Sequence, residues 1–401
     1  MMINTEKAYN LIKKNISCIK RTNKVNIKKS IGLHLAEDIK SNINIPPQDN
    51  SAVDGFAINF SNHKKNLNKI YNIVYEINAG DIFKKKIKFN QCVKVSTGAH
   101  LPKQLDTVIM LEDVEFISKN QIKIKTFIKK KNVRKKGEDI KKGKIVLSRY
   151  NLIRPQEVGL LSSINKEEIK VLKNINIAVL SNGNELVNPG NLKKSHQIYD
   201  SNRFMLMELL NKPFIKLKDC GIIKDDFNEI KNKLLNLKND YDLIVISGGA
   251  SVGHKDFLIK IIKEVGKIIF SKVAIKPGRP LSFGIIKNVP VLILPGNPVA
   301  SFVTFNLFGN FILNCLNGNF KKKPTFFSVK SNFNMKKKIG REEYLRGKLV
   351  KKNNELYVNK YNTEGAGILS SVVWSEGLIK LELNTQTIKV NDKLQFFPYE
   401  N

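Results

Sequence analysis

Leu243-Ile244-Val245-Ile246-Ser247-Gly248-Gly249-Ala250-Ser251-Val252-Gly253 decides how this chain is read. Four successive apolar residues suit a strand buried on both faces, and the small residues after them suit a loop that opens a helix. The same alternation recurs on both sides of this stretch. Strands are expected at 175–180, 215–222 and 291–294, with helices at 203–210, 227–237, 256–265 and from 298 to about 316. Such βαβ alternation predicts a doubly wound α/β sheet with ligands at the carboxyl ends of its strands. Asn297 is placed to cap the last helix, and Pro298 to occupy its first turn.

The flanks follow other periods. Ala8, Leu11, Ile12, Ile16 and Ile19 have helical spacing over 7–20, and a second short helical pattern follows near Leu33. Between 43 and 140 the pattern changes to short alternating runs at 69–77, 91–96, 107–111 and 121–126, which predict a β-rich, barrel-like module. Residues 153–172 read as helical again, with Pro155 in a first turn that tolerates it, and 321–397 return to strand-like alternation. At 401 residues the chain exceeds the usual size of a single core. The changes of period divide it into a helical opening, a β-rich module, a second helical stretch, an α/β region and a C-terminal β region.

Net charge is +34, which suggests nucleic acid or an anionic membrane as partner. Arg occurs only eight times, however, and the many Lys residues are spread along the chain beside Asn and Ile, which is a compositional drift. The basic runs at 84–86, 129–131, 321–323 and 336–338 lack interleaved aromatics for base stacking, so no specific nucleic-acid partner is expected. No apolar run approaches the roughly 18 residues of a membrane span, and 1–21 carries Lys and Asn where a signal peptide is apolar. A cytoplasmic protein without a membrane partner is the expectation. Cys18, Cys92, Cys220 and Cys315 lie far apart and form neither a paired-ligand spacing nor a disulfide framework, and the five His are scattered.

Against this background a few residues stand out chemically. Ser247, Gly248, Gly249 and Ser251 form a candidate anion cradle without the Lys-Ser/Thr end of a Walker loop. Glu185, Asp225 and Asp256 fall at strand-to-loop junctions of one sheet edge, as a Mg²⁺ site bridging phosphate oxygens would require, although capping is the plainer role for Asp225 or Asp226. Lys272, Lys276 and Arg279 flank the rigid Pro277-Gly278 step and suit oxyanion binding. Scarcity of Arg singles out Arg279, Arg134, Arg341 and Arg346, where a planar fork serves better than Lys. Far upstream, Pro46 to Ala57 packs turn formers and two acids into one loop.

Taken in order, Asp49-Asn50-Ser51-Ala52-Val53-Asp54-Gly55-Phe56-Ala57, Ser96-Thr97-Gly98-Ala99, Gly137-Glu138-Asp139-Ile140, Gln197-Ile198-Tyr199-Asp200-Ser201-Asn202, the 247–253 loop and Leu294-Pro295-Gly296-Asn297-Pro298 resemble the successive signatures of the molybdopterin molybdenumtransferases, the MoeA and gephyrin E-domain family. Each motif alone is weak, but the ordered set is specific and spans nearly the whole chain.

The resemblance implies a MogA-like doubly wound α/β domain (174–320) with an inserted β-rich domain (25–142), a helical segment (1–24 plus 143–173) and a C-terminal β-barrel domain (321–401). It also implies Mg²⁺-dependent insertion of molybdate into adenylylated molybdopterin with release of AMP. The implied partners are a second copy of the chain, whose inserted domain completes the site, and the molybdopterin adenylyltransferase. By motif, the family's functional residues fall on Asp54, Thr97, Asp139, Glu185, Asp225 and Asp256, and its basic residues on Arg134, Lys272, Lys276 and Arg346. Its late serine falls on Ser371 or the neighbouring Ser370. Asn184, His196 and Ala250 depart from the usual pattern. The alternatives are a CinA-type nucleotide-processing enzyme and a non-catalytic scaffold on the same fold.

Overall fold

A computed structural model of the chain describes residues 2–125, 132–248, 257–363 and 365–399. It divides into two compact units: 1–23, 32–34 and 171–401 form one, and 24–31 with 35–170 form the other. The expected helical segment contributes residues to both units. Its N-terminal helix α1 (Thr5–Asn15) belongs to the first unit, and most of its 143–173 part belongs to the second.

In the second unit the alternating runs become strands β1 (Gly55–Ile58), β2 (Ile70–Ile77), β3 (Gln91–Val95), β4 (Thr107–Met110), β5 (Val114–Ser118) and β6 (Gln121–Ile124). They pair in the order β4-β1-β3-β2-β6-β5, with only β2 and β3 parallel. Among the described residues no pairing joins the edges β4 and β5, although Ile109 of β4 and Val114 of β5 share one apolar cluster. Side chains alternate between two apolar clusters, Phe56 and Ile58 facing one and Ala57 the other, as the period of two requires. The pattern near Leu33 is not a helix, and 153–172 is helical only over α2 (Pro155–Ser163). Glu168–Leu172 is a strand, consistent with the β-branched residues it carries, Ile169 and Val171.

In the first unit, strands β7 (Ile175–Asn182), β8 (Ile215–Ile223), β9 (Leu243–Gly248), β10 (Lys267–Phe270), β11 (Ile275–Lys276), β12 (Ser282–Ile286) and β13 (Val289–Leu294) alternate with helices α3 (Ser201–Leu209), α4 (Phe227–Leu237) and α5 (Phe257–Val265). The sheet runs β8-β7-β9-β13-β12-β10. Its first four strands are parallel, and β12 is antiparallel to both neighbours. Sequence reading missed this antiparallel edge because Gly284 and the short runs at 267–270 and 282–286 give no strong period. Central strands β7, β9 and β13 are buried on both faces, which is why they read as continuous apolar runs.

Helix α6 (Pro298–Leu316) contains a π turn at Phe305–Gly309 and packs beside α1, with Phe308 stacked on Tyr9 at 4.9 Å between ring centroids. Among the described residues it is the one helix long and apolar enough to cross a membrane, yet 89% of its apolar window is buried in the protein. Ser301, Thr304, Asn306 and Asn310 interrupt its apolar residues, and Thr304 and Asn306 offset the cost of their burial by bonding to carbonyls one turn back. Asn297 stands at the N-cap position, but its side chain makes no capping bond.

Beyond it, β14 (Phe327–Ser331), β15 (Glu342–Lys352), β16 (Glu355–Lys360), β17 (Gly377–Leu381) and β18 (Lys393–Pro398) close as β15-β16-β14-β18-β17-β15, the C-terminal barrel. One short helix, α7 (Leu369–Trp374), interrupts the strand pattern expected there. Strand β11 of the α/β region pairs in parallel with β15, with Lys276 opposite Glu343.

Candidate functional site

Two adjoining cavities share Pro280, Pro295 and Asn297. The first, about 460 Å³, lies at the carboxyl ends of β7, β9 and β13, as open α/β sheets predict. Its wall includes Asn182, Glu185, Asp200, Asn202, Ser247 and Gly248. Gly248 has φ +91°, and a Cβ there would collide with the carbonyl oxygen of Asn182, so only glycine allows β9 to end this close to β7. Asn182 Nδ2 reaches the carbonyl oxygens of Ile223 and Lys224, each at 3.3 Å. The amide of Asp225 donates to Asn184 Oδ1 at 3.0 Å, so the amide side chain that departs from the family pattern laces the β7 and β8 ends together. Glu185 is exposed, its carboxylate folded over Gly183.

The second cavity, about 330 Å³, lies between β11, the start of α6 and the C-terminal barrel. Lys276, Pro277, Arg279, Arg341, Glu343 and Arg346 contribute to its wall. Gly278, with φ +112°, makes the turn, and a Cβ there would collide with Thr304. Arg346 is 5% exposed, and its guanidinium is held by Nε donating to Ser371 Oγ at 2.9 Å while Nη2 lies 3.5 Å from the carbonyl oxygens of Thr363 and Gly365. Ser371 is buried and donates in turn to Ile368, whereas Ser370 is exposed, which assigns the late serine to Ser371. Lys337 braces the approach to β15, its ammonium donating to the carbonyl oxygens of Arg341, Glu382 and Lys338 at 3.0–3.2 Å. Burial pushes the Lys337 ammonium below its ordinary pKa.

The expected residues are thus divided. Glu185, Ser247 and Gly248 meet at the first cavity, and Lys276, Pro277, Arg279 and Arg346 at the second, with Ser371 behind Arg346. Lys272 and Asp225 line neither, and Asp226, not Asp225, caps α4 by accepting from the Glu229 amide at 2.7 Å. Gly249, Ser251 and Asp256 lie outside the described residues. Among the described residues no group of three His, Cys, Asp or Glu could hold a metal, so Glu185 and Asp225 alone do not make the expected trio. Asn202 and Glu343 are wall residues to which the sequence reading assigned no role, whereas Arg341, singled out there by the scarcity of Arg, does line the second cavity.

Asp54, Thr97, Arg134 and Asp139 belong to the other unit. There Asp54 Oδ1 accepts from the Thr97 amide at 2.6 Å and from Thr97 Oγ1 at 2.9 Å. These two bonds, the amide first, hold the Asp54 carboxyl below its ordinary pKa. Arg134 and Asp139 are exposed, Arg134 in a two-residue strand paired with Asn50–Ser51.

Three family models match the chain in succession: the MoeA N-terminal region (domains I and II) over 3–165, the probable molybdopterin binding domain over 178–314 and the MoeA C-terminal region (domain IV) over 328–399. The molybdopterin molybdenumtransferase of Haemophilus influenzae is 34% identical over 384 residues, 95% of each chain. That of Staphylococcus aureus is 32% identical over 288 residues, 71% of this chain and 69% of its own. The solved molybdopterin biosynthesis MoeA protein of Pyrococcus horikoshii covers 100% of both chains at 27% identity with a TM-score of 0.83. The N- and C-terminal matches also dispose of the CinA-type reading, which rested on the central domain alone. With its central α/β sheet, C-terminal barrel and paired cavities, this chain belongs to the MoeA family of molybdopterin molybdenumtransferases.

Proposed function

We propose that the chain inserts molybdate into adenylylated molybdopterin, releasing AMP. The observation that supports this reading is the juxtaposition of two chemically different cavities. One offers a carboxylate and close-approaching backbone at strand ends, and the other offers Lys276, Arg279, Arg341 and a locked Arg346. A nucleotide phosphate fits the first and a tetrahedral oxyanion the second, with the shared wall at Pro280, Pro295 and Asn297 setting them side by side. Such placement makes the encounter of molybdate with the dithiolene intramolecular in effect, and the cations offset the repulsion among anions.

Mg²⁺ needs only one or two carboxylates beside substrate phosphates, and Glu185 beside Ser247 and Gly248 meets that requirement, with Asp256 as the further acid by motif. Bound there, Mg²⁺ would supply polarisation of the phosphoanhydride. The residues themselves bind and orient: Glu185 holds a charge at the phosphate end, Lys276 and Arg346 hold the oxyanion, and Ser371 fixes the Arg346 plane. In this reading the working enzyme is a homodimer in which Asp54 and Thr97 of one copy complete the cavities of the other, and the adenylyltransferase supplies the substrate. Incubation with adenylylated molybdopterin, Mg²⁺ and molybdate should release AMP and yield molybdenum cofactor. Failure to release AMP at any molybdate concentration overturns the assignment and leaves the scaffold reading.

A further inference from the structure

The oxyanion cavity contains its own anion. Glu343 is the one carboxylate among the described residues of a wall that also carries Lys276, Arg279, Arg341 and Arg346. Its side chain is 4% exposed, and Oε2 lies 3.3 Å from Lys276 Nζ. The pairing is dictated by the backbone, because β11 and β15 run in parallel with Lys276 opposite Glu343. A carboxylate placed there repels any oxyanion and competes with it for the Lys276 ammonium. On the same wall, the Arg346 guanidinium bonds to Ser371 and lies near the carbonyl oxygens of Thr363 and Gly365.

We propose that Glu343 is a tethered counter-anion that holds Lys276 before an oxyanion enters and keeps oxyanion affinity low. This rests on the reading of the cavity as an oxyanion site. Two effects of removing the carboxylate oppose each other. Lys276 loses a positioning contact, and the incoming dianion loses a repulsion. The ammonium is 42% exposed and stays solvated without Glu343, so the loss of position is minor. Repulsion between charges a few ångströms apart at a partly solvated wall outweighs it, enough for about tenfold in affinity.

The test titrates the full-length protein with sulfate and with molybdate, following heat of binding. Glu343→Gln should bind both oxyanions about tenfold more tightly than wild type, while Glu343→Asp, which keeps the charge, should bind them as wild type does. Glu343→Met, an apolar side chain suited to a buried position, should follow Glu343→Gln and serves if the amide variant unfolds. Unchanged or weakened binding in the folded charge-removing variants overturns the proposal, as does equal tightening in Glu343→Asp. Lys276→Ala separates the two readings. If it fails to weaken molybdate binding, the oxyanion site itself is wrong; if it weakens binding while Glu343→Gln does not tighten it, only the counter-anion is wrong.

Discussion

A methyl group added at Gly248 would collide with the carbonyl oxygen of Asn182 while asking an L-residue to hold φ +91°. Gly248→Ala should therefore cost about 1–3 kcal/mol, read as a lowered urea midpoint at unchanged m-value, and should weaken nucleotide-phosphate binding at the first cavity. Asp54 makes a different prediction, about pH. Its folded-state pKa lies below the ordinary carboxylate value, so the stability it contributes is present above that ordinary value and is lost as pH falls through the depressed one. A carboxyl NMR titration should give a midpoint below that of an exposed Asp. Thr97→Val should raise it only in part, because the amide bond from Thr97, the larger cause, survives the substitution. The Pro277-Gly278-Arg279 turn marked Lys276 in the sequence. Nothing marked Glu343, because a carboxylate beside Tyr344 in a strand-like run has no local signature; only the pairing of β11 with β15 sets it against Lys276.

At the scale of elements, the oxyanion cavity depends on α7 lying behind β15. Ser371, on that helix, fixes the guanidinium of Arg346, on the strand. Loss of this bond in Ser371→Ala should raise the molybdate KM with little change in kcat, and Arg346→Lys, which loses the planar fork, should cost about 1.5–3 kcal/mol in molybdate binding measured by calorimetry. Helix α6 carries much of the core. Phe308 is fully buried in its π turn against Tyr9 and α1, so Phe308→Ala should lower stability by about 3–5 kcal/mol in a denaturant melt. Most helices and central strands of the α/β region were legible because burial on one or both faces imprints a period on the sequence. The edge strand β10, its neighbour β12 and the strand at Glu168–Leu172 were not, since strands of four or five residues are too short for a period to register.

On the scale of the whole molecule, Asp54 and Lys276 lie in separate compact units, and the homodimer reading predicts that they act across subunits. Mixed Asp54→Ala and Lys276→Ala proteins, each inactive alone, should regain AMP release after subunit exchange; full activity of a monomer would contradict the shared site. The +34 charge should give only weak, unspecific DNA affinity that falls steeply with salt, checked by fluorescence anisotropy at several ionic strengths. The sequence by itself determined the family and the alternation of strands and helices in the α/β region, because motifs and periodicity are local and survive without coordinates. Tertiary structure alone decided the strand order of the large sheets and the parallel pairing of β11 with β15. It also decided that Arg346 leans on Ser371 while Glu343 opposes Lys276. These are contacts between residues far apart in the chain, and their register is set by backbone pairing and packing that no local stretch of sequence encodes.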